Sequence, residues 1–139
     1  MKKFKFRLQK VMDFREAMES LAKDAYLDAR AQRLEAEAVI SSIESRRLEM
    51  LREPCTTIDA HQAIEGMMVR LDDEVRAQYT VISVLQEEEA QALQHWQNAK
   101  KEYEVLVKLH EKAIEEYRKE EGLEEQKELD EWSVTRRAA

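Results

Sequence analysis

Residues 52–60 read REPCTTIDA and interrupt a sequence that otherwise favours helix. Pro54 has no backbone N–H to donate, and it disfavours the helical conformation at the preceding residue, Glu53. It is the only proline of the chain, and both glycines lie outside this stretch. The stretch therefore predicts a single turn, at about residues 52–57, between two long helices.

The segments on either side of the turn have the composition of long helices. Of the 139 residues, 38% are charged, and the chain contains 2 Gly and 1 Pro. Abundant Leu, Ala, Glu, Lys, Arg and Gln favour helix, and this mixture is typical of coiled coils rather than of a compact α/β core. We predict helix 1 at about residues 5–51 and helix 2 at about residues 58–132, capped by Thr56, Thr57 or Asp59.

Apolar residues recur in helix 1 at intervals of three and four, which is the spacing of a coiled-coil seam. The predicted seam of its first half consists of Leu8, Val11, Phe14, Met18 and Leu21. Successive steps of four from Leu21 through Ala25 to Ala29 then shift the phase of the pattern, as a stutter does.

Helix 2 repeats this spacing over a longer stretch. Its predicted seam includes Leu85, Leu93, Trp96, Tyr103 and Leu106. A short turn makes the two helices pack side by side, so the predicted fold is all-α, a long antiparallel two-helix coiled-coil hairpin. We predict one domain over residues 1–139, with the C-terminal part of helix 2 overhanging helix 1.

The position of the turn also predicts which residues face each other across the seam. The predicted pairs are Leu8 with Tyr103, Phe14 with Trp96, Ala25 with Leu85, Ala29 with Ile82, and Ile43 with Met67 and Met68. In this register small alanines of helix 1 lie opposite large residues of helix 2.

The two ends of the chain carry opposite charges. Residues 1–15 contain six basic and one acidic side chain, whereas residues 111–131 contain ten acidic and four basic. An antiparallel hairpin brings both segments to the same end, where each exposed pair contributes about 0–1 kcal/mol. The charges therefore favour this hairpin over a parallel dimer.

The residue pattern offers no catalytic, cofactor or metal site. With Gly66 and Gly122 as the only glycines, no phosphate-binding loop can be built. The histidines are too far apart in the sequence to form an i, i+4 ligand pair with each other or with Cys55. We therefore expect no enzyme activity and no cofactor.

Charge and hydropathy argue against several other classes of protein. The net charge of −7 opposes nucleic-acid binding, despite the basic, aromatic N-terminus. That N-terminus lacks the apolar core of a secretory signal, and no apolar run approaches the roughly 20 residues that span a bilayer. The single Cys55 favours a reducing compartment. We expect an intracellular protein, with membrane-surface binding by residues 2–15 as an alternative.

Protein binding is the class of function that remains. Met67 lies beside the predicted seam of helix 2, with Met50 on the other side of the turn, and flexible Met side chains adapt to partners. Leu129 and Trp132 lie beyond the region where helix 1 can pair. The alternatives are that the residues near the turn pack on each other and that the C-terminal residues form a frayed tail.

Three stretches together form a specific pattern. The first is FKFRLQKVMDFRE at residues 4–16, the second HWQNAKKEYEVLVKLHEKAIEEY at residues 95–117, and the third KELDEWSVTRRA at residues 127–138. In this order they resemble the N-terminal signature, the Trp-containing part of the second helix, and the closing Asp-Glu and Arg pattern of the flagellar export protein family FliJ. The resemblance covers nearly the whole chain.

The resemblance implies a non-enzymatic component of the flagellar type III export apparatus, folded like the gamma stalk of rotary ATPases. It implies binding to the hexamer of the export ATPase FliI, with the end that carries both termini entering the ring. Contacts with the export gate protein FlhA and with export chaperones are also implied. The expected location is the cytoplasmic face of the inner membrane, where the protein is peripheral.

The resemblance also assigns two groups of partner-binding residues. The surface toward the gate and the side of the ATPase would contain Ile43, Met50, Met67 and Leu71. The termini end would present Phe4, Phe6, Arg7, Leu129, Asp130, Glu131 and Trp132. Alternative readings of the same layout are an injectisome stalk of the YscO type and a helical-hairpin chaperone or scaffold.

Overall fold

The computed structural model describes residues 2–138, which form two α-helices. Helix α1 is Gln9–Arg52 and helix α2 is Ile58–Ala138. No strand is present in residues 2–138. The predicted fold class, an all-α antiparallel hairpin of two long helices, is confirmed.

Residues 53–57 connect the helices, and Thr57 is the cap of α2. The backbone N–H of Ala60 donates a hydrogen bond of 3.1 Å to the side-chain oxygen of Thr57. This bond satisfies one of the backbone donors that the first turn of a helix leaves unpaired. Asp59 adds a negative charge to the first turn, which favours the N-terminal end of the helix dipole.

The outer ends of both helices differ from the sequence prediction. Helix α1 begins at Gln9 rather than near residue 5, because residues 2–6 are not helical and instead pack against α2. In an extended segment alternate residues share one side, and both Phe4 and Phe6 therefore reach α2. Helix α2 continues to Ala138 rather than ending near residue 132, since no proline follows to stop it.

Packing divides the helices into two compact units. The turn unit comprises residues 21–96, and the termini unit comprises residues 2–20 and 97–138 of the described chain. Each unit contains a segment of α1, or the residues before it, packed against a segment of α2. The single domain therefore stays a prediction.

The core of the turn unit is a cluster of Ala36, Ile40 and Ile82, against which Leu85 packs. Ile43 and Leu71 of the same unit are also buried. The termini unit buries Ala99 and Leu106 of α2. Small alanines among these residues let the two backbones approach closely, as in other narrow two-helix seams.

The seam of α1 lies on a different series of residues from the predicted one. Apart from Glu37, the buried and half-buried positions of α1, with Leu8 just before it, are Leu8, Met12, Arg15, Glu19, Ala22, Tyr26, Ala29, Arg33, Ala36, Ile40, Ile43, Arg47 and Met50. These positions alternate by four and three throughout, so that the phase never shifts and no stutter is needed.

Four predicted seam residues of α1 are instead exposed. The exposed fractions are 44% for Val11, 55% for Phe14, 37% for Met18 and 61% for Leu21. Leu8 is half-buried, as are Leu85, Leu93, Trp96 and Tyr103 of α2, whereas Leu106 is buried. The series that contains Phe14 is more apolar, but it is out of phase with the core formed by Ala36 and Ile40.

The register within the turn unit also differs from the prediction. Trp96 stacks on Tyr26 with ring centroids 5.5 Å apart, and Leu85 packs against the cluster of Ala36 and Ile82 rather than against Ala25. The partner of Leu85 is thus about three helical turns closer to the loop than predicted. In this register the first residues of α2 have no residue of α1 opposite them. Ile58 is accordingly 79% exposed.

This register predicts a specific crosslink. In a Cys55→Ser background, the pair Ala36→Cys and Leu85→Cys should link within one chain under oxidation or with a short bifunctional maleimide, because packed seam residues lie within crosslinking distance. The matched pair Ala25→Cys and Leu85→Cys should not. Non-reducing electrophoresis distinguishes the two, and efficient linking of the second pair would contradict the register.

Polar side chains occupy part of the seam in the turn unit. Arg33 donates hydrogen bonds to Glu89 across the seam and to Glu37 on its own helix, the latter at 2.9 Å. These carboxylates, Glu89 above all, raise the pKa of Arg33 above its ordinary value. The side-chain amide of Gln78 donates to the backbone carbonyl of Ala36 at 3.1 Å. Such pairs fix register because a slip would leave them unmatched.

Candidate protein-interaction surfaces

Aromatic side chains fasten the N-terminal segment to α2 in the termini unit. The ring centroid of Phe6 lies 4.9 Å from that of His110, and Phe4 lies 5.8 Å from His110 and 5.3 Å from Tyr117. The Tyr117 hydroxyl donates a 2.7 Å hydrogen bond to the carbonyl of Lys2. Phe4 and Phe6 are therefore half-buried on their own chain rather than fully available to a partner.

The basic residues around this aromatic cluster face solvent. Lys2, Lys3, Lys5 and Arg7 are exposed, and none of them forms an ion pair with another residue of the described chain. In the termini unit, Arg15 pairs with Glu102 at 2.5 Å. The basic N-terminal segment and the acidic segment of α2 therefore lie in the same unit. The N-terminal cations remain exposed and accessible to a partner.

The last part of α2, residues 120–138, forms an overhang. Nearly all of it is exposed, including Leu123 at 71% and Leu129 and Trp132 at 60% each. Asp130 and Glu131 are also exposed, and Arg136 lies over the Trp132 ring at 5.0 Å from its centroid. The overhang thus combines large apolar residues with carboxylates that face solvent.

The four candidate residues near the turn differ in accessibility. Ile43 is 2% exposed and Leu71 7%, so both lie inside the seam between the helices. Met50 is half-buried, whereas Met67 is 51% exposed. Only Met67 offers a partner an open apolar surface, and binding by any of the four stays a prediction.

A further exposed surface, the Phe14 face, is not predicted by the seam pattern of the sequence. It consists of Val11, Phe14, Met18, Val105 and Leu109, which are 37–58% exposed in the termini unit. Its α1 residues are apolar at seam spacing and were therefore assigned to the seam. Val105 and Leu109 each lie one residue before a seam residue of α2, Leu106 or His110. This one-residue offset in the sequence distinguishes them from the seam.

The described residues contain no group of three or more His, Cys, Asp or Glu side chains placed to hold a metal ion. Cys55 is exposed in the connection. Neither helix, over residues 2–138, includes an apolar stretch long enough to cross a membrane.

Comparison with known proteins matches nearly the whole chain to one protein family. A family model described as "Flagellar FliJ protein" matches residues 4–138. No curated protein and no solved structure matches the chain. The matched range includes the aromatic cluster at the N-terminus, both helices and the overhang.

Proposed function

The chain belongs to the flagellar FliJ family, whose members are components of the flagellar export apparatus, and from this we propose that it is a non-enzymatic stalk and adaptor. The stalk binds and stimulates the hexameric export ATPase FliI. It also links that ATPase to the export gate protein FlhA and to export chaperones, at the cytoplasmic face of the inner membrane, where it is held by its partners.

The exposed end of the termini unit is the observation that carries this proposal. The overhang presents Leu129 and Trp132 among carboxylates, and the neighbouring N-terminal segment presents cations that pair with no described residue. Aromatic anchors surrounded by charged residues are typical of binding hot spots.

Stimulation follows from the asymmetry of a stalk inside a ring. The end of a two-helix hairpin lacks the symmetry of the hexamer, so it contacts different subunits unequally. Unequal contacts stabilise different conformations in different subunits, and a ligand shifts an equilibrium only through such differential binding. The chain needs no nucleotide site of its own for this mechanism.

The turn unit supplies the surface for the export gate in this proposal. Met67 is the accessible residue, and Met50, near the end of α1, is half-buried. Ile43 and Leu71 support this surface from inside the seam, because they hold the two helices together. Flexible methionines adapt to a partner of irregular shape.

Purified components test the proposal. The full chain should raise the rate of ATP hydrolysis by its cognate export ATPase, measured as phosphate release, and should bind the cytoplasmic domain of the gate protein. Met67→Ser should weaken gate binding, whereas Val69→Ser, an exposed neighbour on the same helix, should not. Absence of stimulation together with tight binding of unfolded clients would favour a chaperone, and stimulation of an injectisome ATPase alone would favour the YscO type.

A further inference from the structure

The two halves of the Phe14 face lie on the same side of the termini unit. The guanidinium of Arg15 lies over the Phe14 ring, 5.7 Å from its centroid, and donates to Glu102 of α2 at 2.5 Å. Val105 and Leu109 follow Glu102 at i+3 and i+7, on one side of α2. Arg15 therefore joins an apolar stripe of α1 to an apolar stripe of α2 in one continuous surface.

Basic side chains frame this face. Arg7, in the turn before α1, and Lys10 of α1 precede Val11 and Phe14 by four residues, while Lys108 and Lys112 flank Leu109 on α2. All four are exposed and form no ion pair with any described residue. The carboxylate of Glu102 is already neutralised by Arg15. The face therefore fits an apolar helix with acidic margins.

The overhang of the same chain is a helix with exposed apolar residues and acidic margins. Leu129 and Trp132 lie one turn apart, and together with Glu125 and Glu128 they line a shallow hollow. Residues 120–138 contain seven acidic side chains, all before Trp132, and three basic ones, of which Arg136 lies over the Trp132 ring. The overhang is thus complementary to the Phe14 face in both apolar character and charge.

The overhang cannot reach the Phe14 face of its own chain. Helix α2 is continuous from Ile58 to Ala138, and no described residue, glycine included, has a positive φ that would indicate a reversal. At about 1.5 Å per residue, Leu109 and Trp132 are separated by about 35 Å along the helix axis. Only another molecule can bring an overhang to this face.

We propose that the overhang of one copy docks on the Phe14 face of a second copy. Each chain carries both surfaces, so the contact is formed twice in a closed two-fold dimer. Burial of Phe14 and Trp132 drives the association, and the cations and carboxylates at the margins set its orientation. The dimer does not depend on the function proposed above; where the overhang also binds the ATPase ring, the two occupants compete.

Sedimentation equilibrium of the full chain, over a range of protein concentrations, tests the dimer. The mass should rise above the 16.4 kDa of one chain toward twice that value, and high salt should weaken the association because it screens the marginal charges. Two double variants should each weaken association about tenfold or more. One is Phe14→Ser with Leu109→Ser, and the other is Leu129→Ser with Trp132→Ser. Leu27→Ser with Leu34→Ser, on exposed residues of the turn unit, is the matched control.

Mixing the two variants makes the test specific for complementary surfaces. Each variant keeps the surface that the other has lost, so the mixture should form a heterodimer through one intact contact. In a Cys55→Ser background, chains with Phe14→Cys should crosslink to chains with Trp132→Cys. A wild-type chain that stays monomeric at every concentration, or a dimer that either variant leaves unchanged, would overturn the proposal. If the wild-type chain is monomeric and binds anionic vesicles, and the Phe14→Ser, Leu109→Ser variant does not bind them, the face would instead be a membrane-binding surface.

Discussion

Ile82→Ala is expected to lower the free energy of unfolding by about 2–5 kcal/mol. Ile82 is 6% exposed and packs in the cluster with Ala36 and Ile40. The substitution removes buried methyl and methylene groups and leaves a cavity that two helices can close only in part. The better helix propensity of alanine offsets a few tenths of a kcal/mol of this loss.

Val84→Ala is the matched control for this substitution. Val84 lies two residues away on the same helix and is 53% exposed, so its loss should change the free energy of unfolding by less than about 0.5 kcal/mol. Urea denaturation followed by far-UV circular dichroism measures both variants. Equal losses at the two positions would contradict the seam that the structure assigns to α2.

Truncation of the chain after Lys119 is expected to reduce binding to the export ATPase at least about tenfold, and with it the stimulation of ATP hydrolysis. The truncation removes the large exposed apolar residues of the overhang, which are Leu123, Leu129, Trp132 and Val134. It leaves the aromatic contacts of Phe4 and Phe6 with His110 and Tyr117 in place. The hairpin should therefore keep its thermal stability while it loses its partner.

Two comparisons separate loss of the ring contact from other effects of the truncation. Trp132→Ala in the full chain should reproduce most of the loss, because a large aromatic anchor contributes more than its neighbours. Leu27→Ser with Leu34→Ser should leave ATPase binding unchanged. Full binding by the truncated chain would place the ring contact on the N-terminal segment, where Arg7 and the exposed lysines lie.

The exposure of the candidate site residues could be predicted from the sequence only where few other residues surround them. Leu129 and Trp132 lie beyond any residue of α1, and the structure accordingly leaves them exposed. Near the turn, Ile43 and Leu71 were expected at a partner surface but lie inside the seam. Their apolar character is the same in either place, so only the packing of the two helices distinguishes a core residue from a binding residue.

The sequence by itself determined the helices and the turn between them. Pro54 and the cap at Thr57 act on their own backbone neighbours, and helix-forming residues favour helix wherever the chain lies. Such local chemistry can be read directly from the residues. The resemblance to one family likewise follows from the order of short stretches along the chain.

Only the tertiary structure decided which side of α1 forms the seam. Two series of residues one position apart both alternate by three and four, and the more apolar series contains Val11, Phe14 and Met18. The contacts of Tyr26 with Trp96 and of Arg33 with Glu89 select the other series, although it places charges in the seam. A helix turns about 100° per residue, so this one-residue difference exposes the apolar stripe, and only the partner across the seam determines it.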